Sequence, residues 1–181
     1  GDLNGDGVND IAVGANGDDD EGTNRGVIYI MLMNTDGSVD ETIEINDNTV
    51  NGPVLTNSDY WGRSIANIGD LNNDGVNDIA VGAPGDDDEG ANRGTIHIMF
   101  MNTNGSVDST VKISDVNTTP NGPVLEGHDG FGESVANIGD LNVDGVNDII
   151  VGAVGADCVS CVGTQAGAVY IMFMNTNGSV D

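Results

Sequence analysis

Three nine-residue stretches carry the densest chemistry in this sequence. They are Asp2-Leu-Asn-Gly-Asp-Gly-Val-Asn-Asp10, Asp70-Leu-Asn-Asn-Asp-Gly-Val-Asn-Asp78 and Asp140-Leu-Asn-Val-Asp-Gly-Val-Asn-Asp148. Each reads D-x-N-x-D-G-x-x-D. Alternate positions offer side-chain oxygens, and the glycine permits a left-handed turn that folds the loop around an ion. Ca²⁺ takes about 6–8 oxygen ligands at about 2.3–2.6 Å. In the second copy Asp70, Asn72 and Asp74 can each offer a side-chain oxygen. The carbonyl of Val76 can point inward, and Asp78 can close the shell. Without an ion three carboxylates would crowd together. One Ca²⁺ per copy is therefore expected, three in this chain.

The same pattern opens an EF-hand, which needs a bidentate Glu at its twelfth position and a helix after it. The twelfth positions here are Val13, Val81 and Val151, inside apolar runs with the character of strands. The EF-hand reading fails. A solvated acidic turn explains one such loop but not three with the same ligand geometry.

The loops sit inside a repeat with steps of 68 and 70 residues. Asp2–Asp40 aligns with Asp70–Asp108 without a gap, and 32 of 39 positions are identical. One full unit reads as four short β-rich runs: 64–68, 78–83, 95–101 and 109–113. The acidic loop joins the first two, the polar loop 84–94 joins the next, and Asn104-Gly105 makes the last turn. Such runs, separated by Gly, Asn and Asp, predict a four-stranded antiparallel meander. The third run, Thr95-Ile-His-Ile-Met-Phe-Met101, is apolar on both faces, so each sheet should be sandwiched between neighbours. Four-stranded sheets stacked around an axis make a β-propeller. The expected class is all-β, with one complete blade (53–119) flanked by partial blades (1–52 and 120–181) in a single propeller segment.

These motifs resemble the FG-GAP repeats of integrin α-subunit-type β-propellers and their bacterial relatives. Phe131-Gly132 matches the FG element, and Tyr60-Trp61-Gly62 is its variant. Gly82-Ala83-Pro84 matches GAP, with Gly14-Ala15-Asn16 and Gly152-Ala153-Val154 as departures. The resemblance implies a Ca²⁺ loop between the first two strands of each blade. By position the ligands are Asp2, Asn4, Asp6, Val8 and Asp10 in the first copy. They are Asp70, Asn72, Asp74, Val76 and Asp78 in the second, and Asp140, Asn142, Asp144, Val146 and Asp148 in the third. The strand expected before Asp2 does not precede it, so the first site is expected to be incomplete.

Composition narrows the function. The net charge is −26, from 30 acidic and 4 basic residues. That balance excludes binding nucleic acid or an anionic membrane through a basic patch. No stretch reaches the roughly 18–20 apolar residues of a membrane span, so no membrane insertion is expected. There is no nucleophile–base–acid constellation and no phosphate-cradling glycine loop, and enzymatic activity is not expected. Cys158 and Cys161 are spaced C-x-x-C with no second pair of zinc ligands. A small loop-stapling disulfide is favoured, with two free thiols as the alternative; a disulfide would mean an oxidising compartment.

Other features have a plain reading beside each sharper one. The acidic runs 18–21 and 86–89 are read as solvated loops partly neutralised by Arg25 and Arg93, with further cations or a basic partner as the alternative. Trp61 is assigned to packing ahead of sugar stacking, His97 to packing, and His128 to solvent. Asn104, Asn117 and Asn177 begin glycosylation acceptor triplets.

Near-identical repeats with open ends suggest an extracellular or cell-surface adhesin or filament protein. Its partners would be neighbouring repeats or other copies, engaged through open blade edges. The alternative is a module of a larger surface protein or enzyme that recognises a glycan or a protein.

Overall fold

The computed structural model describes residues 1–88, 90–115, 119–157 and 166–181. Among them there are ten strands and no helix: β1 (Ile11–Ala15), β2 (Val27–Met33), β3 (Val39–Ile45), β4 (Ser64–Gly69), β5 (Asp78–Ala83), β6 (Thr95–Met101), β7 (Val107–Ile113), β8 (Phe131–Gly139), β9 (Asp148–Ala153) and β10 (Ala168–Met172). They form three antiparallel meanders ordered β1-β2-β3, β4-β5-β6-β7 and β8-β9-β10. One sheet is complete and two are partial, as the repeat implies. The fourth run extends two residues further than the sequence suggested, starting at Val107.

The double-sided apolar runs do stand between sheets. All seven residues of β6 and all six of β5 are buried. One core cluster joins the first two sheets through Ile28, Ile30, Trp61, Val81 and Met99. Another joins the second and third through Ile68, Ile96, Phe131, Ile149 and Val151. Burial follows position in the stack more than residue type. Ile28 and Ile96 are fully buried, yet Val169 at the same repeat position in the third sheet is 66% exposed. On the opposite face Val13 is 40% exposed, while Val81 and Val151 are fully buried. The sheets thus cover one another in sequence order, and one face at each end stays open.

The aromatic–glycine and glycine–alanine elements meet where two sheets touch. A Cβ on Gly14 would lie 2.0 Å from the Gly62 carbonyl oxygen, and one on Gly82 would lie 2.0 Å from that of Gly132. Gly62 (φ +85°) and Gly132 (φ +94°) adopt backbones that other residues rarely tolerate. Each therefore needs glycine on both sides of the contact. The neighbouring ring anchors it: Trp61 and Phe131 are fully buried. Each meets a side chain of the third strand in its own sheet edge-on, His97 at 6.4 Å and Tyr170 at 5.5 Å between centroids.

His97 is the poorer of these partners. Its Nδ1 is buried without a hydrogen bond, and burial pushes its pKa from 6.5 down to about 3, with Lys112 adding to the effect. A cavity of about 160 Å³ lies beside it, lined in part by Val54 and Lys112. In the third sheet Tyr170 holds this position and its hydroxyl donates to the Val124 carbonyl at 3.2 Å.

Two outcomes are expected. Gly82→Ala should destabilise the protein by about 3 kcal/mol through forced separation of two sheets, read by chemical denaturation. His97→Tyr should fill the cavity, reach the Val54 carbonyl and stabilise by about 1 kcal/mol. The pH dependence should change as well. A depressed folded pKa gives stability that is present above 6.5 and lost as pH falls toward 3. His97→Tyr should remove that part of the acid slope in melting temperatures measured from pH 7 to pH 3.

Candidate metal centre

The acidic loops occupy the same place in each repeat. The second spans the β4–β5 connection, the third the β8–β9 connection, and the first leads into β1. Their internal geometry is shared. The first Asp of each loop turns both carboxylate oxygens onto backbone amides. Asp70 Oδ1 accepts from the Asp74 N–H at 2.9 Å and Oδ2 from Gly75 at 2.8 Å. Asp140 does the same with Asp144 and Gly145 at 3.0 and 2.9 Å. Asp2 shifts by one donor, accepting from Gly5 and Gly7 at 2.8 and 2.9 Å. The third-position Asn and fifth-position Asp then face each other. Asn72 Nδ2 donates to Asp74 Oδ2 at 2.8 Å, with Asn4–Asp6 at 2.9 Å and Asn142–Asp144 at 2.7 Å. Asp74 Oδ1 accepts from Val76 N–H at 2.8 Å, which shapes the turn around the seventh position.

The ninth-position Asp has a second task that sequence reasoning missed. Asp78 is fully buried. Its Oδ2 accepts from Leu71 N–H at 2.9 Å and its Oδ1 from Met101 N–H at 3.1 Å. Asp10 ties Leu3 to Met33 (2.7 and 2.9 Å), and Asp148 ties Leu141 to Met174 (2.8 and 3.0 Å). Each such carboxylate pins its loop to the end of β2 or β6, or just past the end of β10. The signal lay in the register of the repeat, since the partner is always Met and always 23 or 26 residues onward. Burial raises the Asp78 pKa to about 6, the Asp74 charge adds to the rise, and the backbone amides of Leu71, Met101 and Asn72 oppose it. A cation beside the pair would reverse that balance.

Among the described residues no three His, Cys, Asp or Glu side chains converge into a ready-made metal group. The donor set is nonetheless all oxygen and suits a hard cation. It comprises two exposed or half-buried carboxylates, a side-chain amide and the ninth carboxylate, buried in the second and third loops and half-buried in the first, whose oxygens each have a second lone pair. In the third loop Val143 stands at φ +63°, where the other copies place Gly5 and Asn73. A β-branched residue there is strained, so the loop's path is set by its hydrogen bonds and not by local preference.

The other acidic runs are organised differently from expectation. Arg25 pairs with Asp47, and Arg93 with Asp115 at 3.1 Å. It is Lys112 that meets the second run, 2.7 Å from both Asp86 and Asp88. Asp86 is buried and also accepts from Thr95 Oγ1 at 3.2 Å, so that loop is not simply solvated. His128 is exposed, with Nδ1 3.3 Å from Asn92 Nδ2. Asn104 and Asn177 lie in exposed turns, each accepting from the Ser hydroxyl of its own triplet at 2.7 Å. Cys158, Cys161, Glu89 and Asn117 lie outside the described residues.

The FG-GAP repeat matches residues 1–31, 61–99 and 131–172. Integrin alpha-11 of Homo sapiens is 34% identical over 155 residues, covering 85% of this chain and 12% of that protein. Integrin alpha-5 of Xenopus laevis is 35% identical over 173 residues, covering 86% and 14%. Integrin alpha-6 of Gallus gallus is 36% identical over 160 residues, covering 88% and 13%. The chain thus spans only 12–14% of the length of these relatives. Three matched repeats, each with its loop ahead of the second strand, joined by two glycine contacts between sheets, place the chain in the FG-GAP repeat family.

Proposed function

We propose that the chain is a calcium-stabilised structural and adhesive module of an extracellular or cell-surface protein, engaging neighbouring repeats or other copies through its open sheet edges. The carrying observation is electrostatic. The sequence has four basic residues, and all four are held in ion pairs with Asp47, Glu133, Asp115, Asp86 and Asp88. None of those acids belongs to a D-x-N-x-D-G-x-x-D loop. The three loops share the same oxygen donors, with one amide shifted in the first, and draw no positive charge from a side chain of the protein. Ca²⁺ supplies a divalent charge to oxygen donors of this kind. Asp70, Asn72, Asp74, the Val76 carbonyl and Asp78 would hold it in the second loop. Asp2, Asn4, Asp6, Val8 and Asp10 serve the first, and Asp140, Asn142, Asp144, Val146 and Asp148 the third. The integrin relatives, by their names, support a surface protein.

A second reading, recognition of a glycan or a protein, has one observation in its favour. Tyr60 is 37% exposed and stands at φ +54°. The third repeat uses Gly130 (φ +64°) at that position. A strained aromatic retained at a surface is a common mark of a binding role. It lines a cleft of about 250 Å³ with Asn16, Arg63, Pro84 and Glu133. Trp61, the aromatic considered for stacking on sugar, is fully buried.

Ca²⁺ should raise the melting temperature strongly over EDTA, and Mg²⁺ much less. A ligand of the folded state at a hundredfold excess over its Kd stabilises by about 2.7 kcal/mol per site. Asp74→Ala should lower the calorimetric stoichiometry by one ion; an unchanged melting curve on adding Ca²⁺ would refute the calcium reading. For the second reading, a glycan array should give a saturable hit that Tyr60→Gly removes while the fold persists. A hit that survives the substitution would place recognition elsewhere.

A further inference from the structure

The junction of the first two sheets buries polar groups that the next junction does not. Trp61 Nε1 and His97 Nδ1 both lack a hydrogen bond there. Both residues are buried, with their rings edge-on at 6.4 Å between centroids. At the next junction the corresponding pair is Phe131 and Tyr170. Phe131 has no polar side-chain atom, and the Tyr170 hydroxyl donates to the Val124 carbonyl at 3.2 Å. The first and third repeats have Tyr at this place (Tyr29 and Tyr170), and the second alone has His. A buried donor or acceptor without a protein partner calls for another partner.

A cavity of about 160 Å³ adjoins His97. Asp88, Thr110 and Lys112 line it from the second sheet and its loop, and Gly52 and Val54 from the segment that links the two sheets. The Thr110 hydroxyl donates to the Asn51 carbonyl at 2.7 Å, which fastens that segment to β7. Lys112 Nζ lies 2.7 Å from both Asp86 and Asp88, so its charge is already balanced. Burial holds His97 neutral, with its pKa at about 3. An anion entering here would meet Asp88, and a cation would meet Lys112. The lining suits an uncharged molecule that both donates and accepts hydrogen bonds. Volume sets its size: an apolar cavity of about 150 Å³ holds benzene, so the occupant has about six heavy atoms. One of its contacts is visible in the third repeat. The Val54 carbonyl is the counterpart of the Val124 carbonyl, which receives a hydroxyl.

We infer that this cavity binds the vicinal hydroxyls of a small polyol or of one sugar unit in a glycan. One hydroxyl donates to the Val54 carbonyl, as Tyr170 does to Val124, and gives His97 Nδ1 the partner it lacks. Its neighbour lies between the Lys112 ammonium and the Asp88 carboxylate, which keep capacity for a further hydrogen bond. Val54, 80% exposed, rims the opening. The sugar arm rests on the recognition reading given above, but at a site separate from the Tyr60 cleft.

The test titrates the whole chain, in Ca²⁺ buffer, with glycerol and with methyl α-mannopyranoside, reading the imidazole proton resonances of its two histidines. Saturable shifts at His97 and none at His128 are expected. Saturation by glycerol alone identifies a free polyol as the source, and saturation by the mannoside a sugar unit. No shift at His97, or one that grows linearly without saturating, overturns the site. His97→Tyr, expected to fill the cavity and raise the melting temperature, should abolish binding as read by saturation transfer to the probe's own resonances. His97→Phe should do the same without adding a hydroxyl. Binding that survives in either folded variant overturns the site. A glycan-array hit lost with Tyr60→Gly but unchanged by His97→Tyr overturns the sugar arm here while the recognition reading stands.

Discussion

The closest contact between sheets organises this molecule. At Gly14 against Gly62, and again at Gly82 against Gly132, two backbones approach until no Cβ fits. A side chain on either partner would push the sheets apart along the line where they are nearest. The aromatic residue before the second glycine, Trp61 or Phe131, is buried in the core beside the contact. The contact also brings the segment before each first strand onto the preceding loop. Tyr60 and Trp61 donate their N–H groups to the carbonyls of Asn24 and Arg25 at 3.0 Å, and Gly130 and Phe131 do the same with Asn92 and Arg93 at 3.1 and 2.9 Å. Backbone groups that would be buried unpaired at the boundary are thereby satisfied.

This constraint fixes one end of the packed strands at each junction, and the ninth-position carboxylates hold the loop at the other end. Asp78 ties its loop to the end of the third strand through the Leu71 and Met101 amides. Loop and core are then mechanically linked, and what happens at the loop oxygens bears on the packing of β5 and β6. The link also explains how an exposed, highly charged loop can keep one conformation in three copies, even with Val143 in a left-handed backbone.

Much of this was legible in the sequence because the repeat displays each position more than once. The seven apolar residues of Thr95–Met101 announce a strand covered on both faces, and the structure buries all of them. Trp61 reads as core because Phe131 occupies its position. Side-chain pairing was harder to read. Arg93 is near the acidic run in sequence, yet it reaches Asp115 in space, while Lys112 arrives at that run from the neighbouring strand through the register His97↔Lys112. No local pattern reports such cross-strand placement. The inward role of Asp78 was hidden for a related reason. Spacing shows which oxygens could gather around an ion, but not which of them the backbone amides claim first.

Charge distribution follows from the same architecture. The strands carry few ionised groups because most of their length is covered on one or both faces, so the acidic residues collect in the connections. Within the connections they fall into two classes. Asp47, Asp86 and Asp115 have basic partners and are buried or nearly so, where an unpaired carboxylate would be costly. Asp70, Asp74 and their repeat counterparts face outward, hydrogen-bonded only to amides. Amide donors shape a carboxylate cluster without neutralising it. The chain places its few cations where burial demands them and leaves its most regular acidic geometry to be balanced from solution.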